Sequence, residues 1–144
     1  MTRNRRTRIL IQGDGVLRNR MAALVRERCV TELLDGPVWG LVMLSVRETA
    51  RNSLFHPGEV LVSEAKVMVD GAIGLGIIAG DQPVAAEELA LIDGAWNSSG
   101  IFVADWIPLL MAEESRIREE HALAQAAVLR TKVDFQTMDT EALL

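Results

Sequence analysis

Two histidines, one cysteine and a cluster of arginines are the residues of this 144-residue chain that could do chemistry. His56 and His121 belong to different segments, and neither stands at metal-ligand spacing from another His, Cys or acidic residue. His56 precedes Pro57 in a turn, where exposure is the default. His121 lies on an apolar helical stripe, where a core or interface histidine is the ordinary case. Cys29 is the single cysteine, so an intrachain disulfide is impossible and a thiolate metal cluster is disfavoured. A buried or half-buried helical thiol is expected. Glu87 and Glu88 are adjacent on a helix and diverge by about 100°. They therefore do not converge on one substrate atom. Asp93, on the same helix, is placed to reach a neighbour's arginine. The glycine-rich run Gly71 to Gly76 sits inside a hairpin instead of joining a strand to a helix, so it does not match a dinucleotide fingerprint. No nucleophile elbow and no phosphate-binding loop ending in Gly-Lys-Ser/Thr is present. The chain is expected to supply no catalytic residue, no metal site and no cofactor of its own.

Charge is distributed unevenly. The total is −5, yet residues 1–28 carry eight arginines against Asp14 and Glu27, a net +6, which leaves −11 for the remainder. A basic head on an acidic body suits an anion, a nucleic acid or an acidic partner surface, or it is a solvated helix exterior. Against nucleic acid, aromatic residues make up 4% and tyrosine is absent, so base stacking has little to work with. The head, Arg3, Arg5, Arg6 and Arg8 followed by Ile9-Leu10-Ile11, stops at Gln12-Gly13-Asp14. That is too short for a secretion signal, and no apolar run approaches the ~20 residues of a membrane span. Cytoplasmic residence is the expectation.

The elements that must carry these residues read as a single α+β domain over residues 1–144. A short helix is expected over residues 4–12. An amphipathic helix follows over residues 15–28, with Leu17, Met21 and Leu24 inward and Asn19 and Arg26 outward. Gly36-Pro37 and Gly40 punctuate the chain before a strand from Leu41 to Glu48, with Val42, Leu44 and Val46 on one face. Glu59 to Val69 reads as a longer strand, with Leu61, Ala65, Val67 and Val69 facing one way and Glu64 and Lys66 the other. Asp70-Gly71 is a two-residue hairpin turn, and Ala72 to Ala79 returns with Ile73, Leu75 and Ile77 on its buried face. Gly74 and Gly76 on the other face imply a close approach by a helix of this chain or by a partner's backbone. Asp81 is expected to cap the next helix, with Pro83 in its first turn and Ala85, Leu89, Ile92 and Trp96 as its apolar stripe. A long final helix is expected over Val103 to Arg130. Its seam of Leu110, Ile117, His121, Ala124 and Val128 is similar to a short coiled coil, and its charged flank of Glu113, Glu114, Arg116, Arg118, Glu119 and Glu120 is expected to be solvated.

Several strings, in order, carry a family resemblance: Gly40-Leu41-Val42-Met43, Val46-Arg47-Glu48, Phe55-His56-Pro57-Gly58-Glu59-Val60-Leu61-Val62, Gly74-Leu75-Gly76-Ile77-Ile78-Ala79-Gly80-Asp81, Glu88-Leu89-Ala90-Leu91-Ile92-Asp93 and the closing Lys132-Val133-Asp134-Phe135-Gln136-Thr137-Met138. Together they resemble the G subunit of the bacterial phosphonate carbon–phosphorus lyase core complex, the PhnG family, over nearly the whole chain. Two segments depart from the pattern. The basic Gly-Arg-Asp-Lys-x-His-Ala of many members reads Gly80-Asp81-Gln82-Pro83-Val84-Ala85 here, and their Pro-Glu-Thr reads Pro37-Val38-Trp39. The resemblance implies a part in phosphonate use, within an assembly of G, H, I and L subunits. That assembly transfers an alkylphosphonate to ribose C1 of ATP with loss of adenine (alpha-D-ribose 1-methylphosphonate 5-triphosphate synthase). A J subunit then breaks the carbon–phosphorus bond with an iron–sulfur cluster and S-adenosylmethionine. The implied partners are the H, I, J and L subunits, with I in direct contact, and ATP and alkylphosphonate are substrates of the complex. Arg3, Arg5, Arg6, Arg8, Arg47, Glu59, Asp93, Asp134 and Phe135 are the candidates for contact with an anion or a partner. The alternative is a stand-alone anion- or nucleic-acid-binding module acting through the arginine-rich N-terminus.

Overall fold

The computed structural model describes residues 1–98 and 100–133 of the chain. Helix α1 (Arg3–Gln12) starts at Thr2, whose side chain accepts from the Arg5 amide, and buries Arg6, Ile9 and Leu10. Gly15, at φ +84, turns the chain into α2 (Val16–Arg28), while Asp14 Oδ1 accepts from the Val16 amide at 2.9 Å. Met21, Ala22 and Val25 face the core, and Leu17 and Leu24 are half-buried beside them.

Strand β1 (Thr31–Met43) begins ten residues before the start at Leu41 expected from sequence. It pairs antiparallel with β4 (Glu59–Val69), and its register shifts on either side of Asp35. Gly36 and Pro37, residues that read as punctuation in the sequence, lie in this irregular stretch and are joined by a cis peptide. The expected Leu41–Glu48 strand is divided: Leu41–Met43 close β1, and Val46–Arg47 form β2, paired with β3 (Leu54–Phe55). Strand β5 (Ala72–Ala79) completes a sheet of order β1-β4-β5.

Helix α3 (Pro83–Asn97) is the centre of the molecule. It lies across β4 and β5 on one side and meets α1 and α2 on the other. Ala85, Leu89 and Ile92 are buried as expected, and Ala86, Ala90, Leu91 and Ala95 are buried as well. The helix is therefore buried nearly all round, as a central layer must be. Asp81 does not cap it. The N-cap residue is Gln82 without a side-chain bond, and Asp81 Oδ1 accepts from Trp39 Nε1 at 2.9 Å instead.

The face assigned to β5 is inverted. Gly74, Gly76 and Ile78 point into the core, whereas Ile73, Leu75 and Ile77 are exposed. A Cβ at Gly74 would collide with the Ala90 carbonyl oxygen and the Gly94 amide nitrogen. One at Gly76 would collide with the Ala86 carbonyl oxygen and the Ala90 nitrogen. Thus α3 lies directly on the β5 backbone, and the close approach that the glycines announced is made by this chain's own helix. Close approach buries more than side-chain bulk here, so the branched residues are left outside.

A 3-10 turn (Ile101–Asp105) leads into α4 (Trp106–Leu129). Trp106 packs edge-on to Phe102, centroids 5.3 Å apart, and tilted against Trp96 at 6.3 Å. Leu110 and Ile117 are buried, but His121, Ala124 and Val128 are exposed, so only the first two of the five expected seam residues pack. Length explains this. The 24 residues of α4 span about 36 Å, whereas the 10 residues of α1 beside it span about 15 Å. The distal half runs past its support.

Candidate interaction surface

The basic head turns inward. Arg6 is 3% exposed, donates to Asp93 Oδ1 at 2.5 Å and stacks over the Trp96 ring at 4.5 Å. Arg3 donates to Asp93 Oδ2 at 2.6 Å. Asp93 also accepts from the Leu75 amide at 3.1 Å, which satisfies a free edge group of β5, and Asn97 caps the neighbouring Ile73 carbonyl at 2.8 Å. Burial lowers the Arg6 pKa, opposed by the Asp93 charge. Arg5 forks onto Glu114 at 3.0 and 2.5 Å, and Arg8 approaches the same carboxylate at 4.0 Å. Hydrogen bonding from Arg5 holds the Glu114 carboxyl below its usual range, helped by the charges of Arg5, Arg118 and Arg8. Glu114 and Arg118 therefore face α1, a correction to the solvated flank expected for α4. Glu113, Arg116 and Glu120 do form surface pairs.

A second buried carboxylate, Glu88, is held by Arg18 Nε at 2.8 Å and Asn19 Nδ2 at 2.9 Å, while Glu87 pairs with Arg26 at 2.9 Å. Asn19 and Arg26, expected to point outward, are used to bind α3. Sequence reading missed Glu88 and Arg18; an acidic residue at the centre of an otherwise apolar helical run was the available signal. No buried side-chain nitrogen or oxygen among the described residues lacks a partner. The buried polar groups of the described residues are thus all satisfied within the chain.

The sheet side is the opposite. In β1 every residue except Gly36 and Gly40 is exposed, because α3 covers β4 and β5 instead. The ribbon continues past the sheet: the Leu44 amide bonds the Gly58 carbonyl at 2.9 Å, and the Glu48 amide bonds Ser53 at 3.1 Å. Glu48 closes the tip by accepting from the Ala50 and Arg51 amides at 3.0 and 2.7 Å, which holds its carboxyl below the usual range. This arm exposes Leu41, Val42, Met43, Leu44, Val46, Leu54 and Phe55. Arg47 lies on it and donates to the Asn52 carbonyl at 3.1 Å. Glu59 is at its base opposite Met43. His56 is exposed as expected, its Nδ1 near the Leu44 carbonyl at 3.0 Å. On the outer face of the sheet, Val38, Leu75 and Ile77 surround Glu64, Lys66 and Asp35 in a cleft of about 270 Å³. The signal for the arm was present: Leu41-Val42-Met43-Leu44 has no polar alternate, so both faces are apolar.

Of the candidate contact residues, the fold brings Arg3, Arg6 and Asp93 together and sets Arg5 and Arg8 beside Glu114. Arg47 and Glu59 stand apart on the arm, and Asp134 and Phe135 lie outside the described residues. Among the described residues, no group of three or more His, Cys, Asp or Glu could hold a metal ion, and no helix is long and apolar enough to cross a membrane.

The described residues form a helix-backed α+β domain whose buried polar groups are paired and which exposes an apolar sheet face and an apolar arm, surface chemistry of the kind found at interaction sites. Comparison gives the family. The sequence model of the phosphonate metabolism protein PhnG matches residues 1–139, so the chain belongs to the PhnG family and to phosphonate metabolism. No curated protein matches it.

Proposed function

We propose that the chain is an accessory subunit of the carbon–phosphorus lyase system, acting in the step that joins an alkylphosphonate to ribose C1 of ATP. In that step a phosphonate oxygen forms a bond to C1, the bond from C1 to the adenine nitrogen breaks, and adenine leaves with the electron pair and takes up a proton. Such a step requires an acid for the base, stabilisation of positive charge on the sugar, and cations for the triphosphate. The carrying observation is the apolar arm from Leu41 to Phe55, displayed by a chain whose buried charges are paired with one another. In this reading the I subunit supplies the reacting groups and receives the arm, the H, J and L subunits complete the cytoplasmic system, and this chain carries no cofactor. The alternative of a stand-alone anion or nucleic-acid module has less support, because Arg3, Arg5, Arg6, Arg18 and Arg26 are already held by Asp93, Glu114, Glu88 and Glu87.

The test is co-expression with the H, I and J subunits and recovery through a tag on this chain. Leu54→Asp/Phe55→Asp is expected to lose the I subunit and, with L restored, adenine release from ATP. Normal recovery of I with this variant, or adenine release by the pure chain alone, would overturn the reading.

A further inference from the structure

Among the described residues, a groove between α1 and α4 holds more cation than the carboxylate lining it neutralises. Helix α1 presents Arg5, Arg8 and Gln12 at spacings of three and four residues, and α4 presents Glu114, Arg118 and His121 at four and three, so each set occupies one helical face. Arg8, Gln12, Glu114, Arg118 and His121 line the groove above a floor of Ile9 and Ile117, which are 2% and 6% exposed. Arg5 closes on Glu114 from beside it. One carboxylate therefore faces three guanidiniums. Arg5 takes its hydrogen bonds, Arg8 stays 4.0 Å away, and Arg118 acts on it through charge alone. Among the described residues, no acceptor hydrogen-bonds the guanidinium of Arg8 or Arg118. Two guanidiniums on opposite walls thus keep hydrogen-bonding capacity that no described residue uses, above a buried apolar floor.

We propose that this groove binds a small phosphoryl oxyanion, held between Arg8 and Arg118. The surplus of two positive charges matches a dianionic tetrahedral group better than a single carboxylate. Guanidinium forks on opposed helices can each donate to separate oxygens of one phosphoryl group. The groove measures about 280 Å³, just below the roughly 300–1,000 Å³ of pockets for drug-sized ligands. It has room for one or two phosphoryl groups. The site lies on the helical side, away from the arm, and does not depend on the subunit reading.

The test is titration of the purified full chain with inorganic pyrophosphate at low ionic strength, followed by calorimetry and by phosphorus NMR. Arg8→Ala/Arg118→Ala is expected to weaken binding roughly tenfold or more, the scale of losing a charge-assisted hydrogen bond. Arg26→Ala/Arg116→Ala removes equal charge elsewhere and is expected to bind like the parent. Glu114→Gln removes the competing carboxylate and is expected to tighten binding several-fold, a gain that misfolding cannot imitate. The proposal is overturned if the parent chain does not bind pyrophosphate, if the control pair loses as much affinity as the groove pair, if Glu114→Gln fails to tighten binding, or if succinate binds as tightly as pyrophosphate.

Discussion

Replacing Gly76 with alanine tests the central packing of the molecule directly. The added Cβ would overlap the Ala86 carbonyl oxygen and lie 2.6 Å from the Ala90 nitrogen and 3.0 Å from the Ala86 carbonyl carbon. All three atoms are α3 backbone, so no side chain can rotate away and the helix must lift. Lifting stretches the Asp93 bond to the Leu75 amide, now 3.1 Å, and the Asn97 bond to the Ile73 carbonyl, now 2.8 Å. Overpacking a core costs about 1–3 kcal/mol, and more where nothing yields. The gain from stiffening the unfolded chain offsets about 0.4–1 kcal/mol. At the upper end of that cost, which backbone-only neighbours impose, the net expectation is a loss of about 2–2.6 kcal/mol, or roughly 6–10 °C in Tm for a chain of this size. Urea unfolding followed by circular dichroism measures it. Gly58→Ala is the control, because a Cβ there meets nothing within 4 Å, and it is expected to stay within about 0.5 kcal/mol of the parent. If Gly76→Ala also stays within that margin at unchanged m-value, α3 does not rest on the β5 backbone and the inverted face assignment is wrong.

Two further outcomes follow from the buried polar groups. Asp93→Asn removes the charge opposite Arg6 and Arg3, and stranding a buried cation is expected to cost about 3–5 kcal/mol in urea unfolding; a loss below 1 kcal/mol would refute the clasp. Burial pushes the Cys29 thiol up to about 11, aided by its hydrogen bond to Asp70 and that residue's charge. Alkylation at pH 8 is therefore expected to run about 100-fold slower than for a free thiol. Because the folded value lies above the unfolded value of about 8.5, the associated stability is complete below that pH. It is lost as pH rises towards about 11. An alkylation rate within threefold of a free cysteine would sink this assignment.

The helices were legible because their signals are local. The Asp14-Gly15 start, Pro83 at the first position of α3 and the stripe through Ala85, Leu89 and Ile92 all fall where expected. The hairpin through Asp70-Gly71 was equally local, with both residues at positive φ. Face assignment on β5 failed because apolar alternation was taken as the sign of the core. Ile73-Gly74-Leu75-Gly76-Ile77 offers two candidate inner faces, and only the position of α3 decides between them. The glycines held the answer, since a strand tolerates them where a backbone must approach. The N-terminal arginines were legible as a cluster but not in their use. Their partners, Asp93 and Glu114, are far along the chain, and nothing in a charge count identifies such pairs.

These two failures have the same physical origin. A chain of this length has limited apolar area to bury, and α3 takes the glycine face of β5 while the charged helices close over its other side. Every buried carboxylate on α3 then needs a cation, and the basic head supplies it through Arg3, Arg6 and Arg18. The net charge of the first 28 residues is therefore a poor guide to what the surface offers a partner, because much of it is neutralised inside the chain. What the sheet side offers outward is the apolar residue set that this packing displaced: Ile73, Leu75 and Ile77 on the sheet, and Leu54 and Phe55 on the arm. Substitutions in the two groups should separate cleanly. Changes at Asp93 or Gly76 should act on folding, and changes at Leu54 and Phe55 on assembly with little effect on the isolated chain.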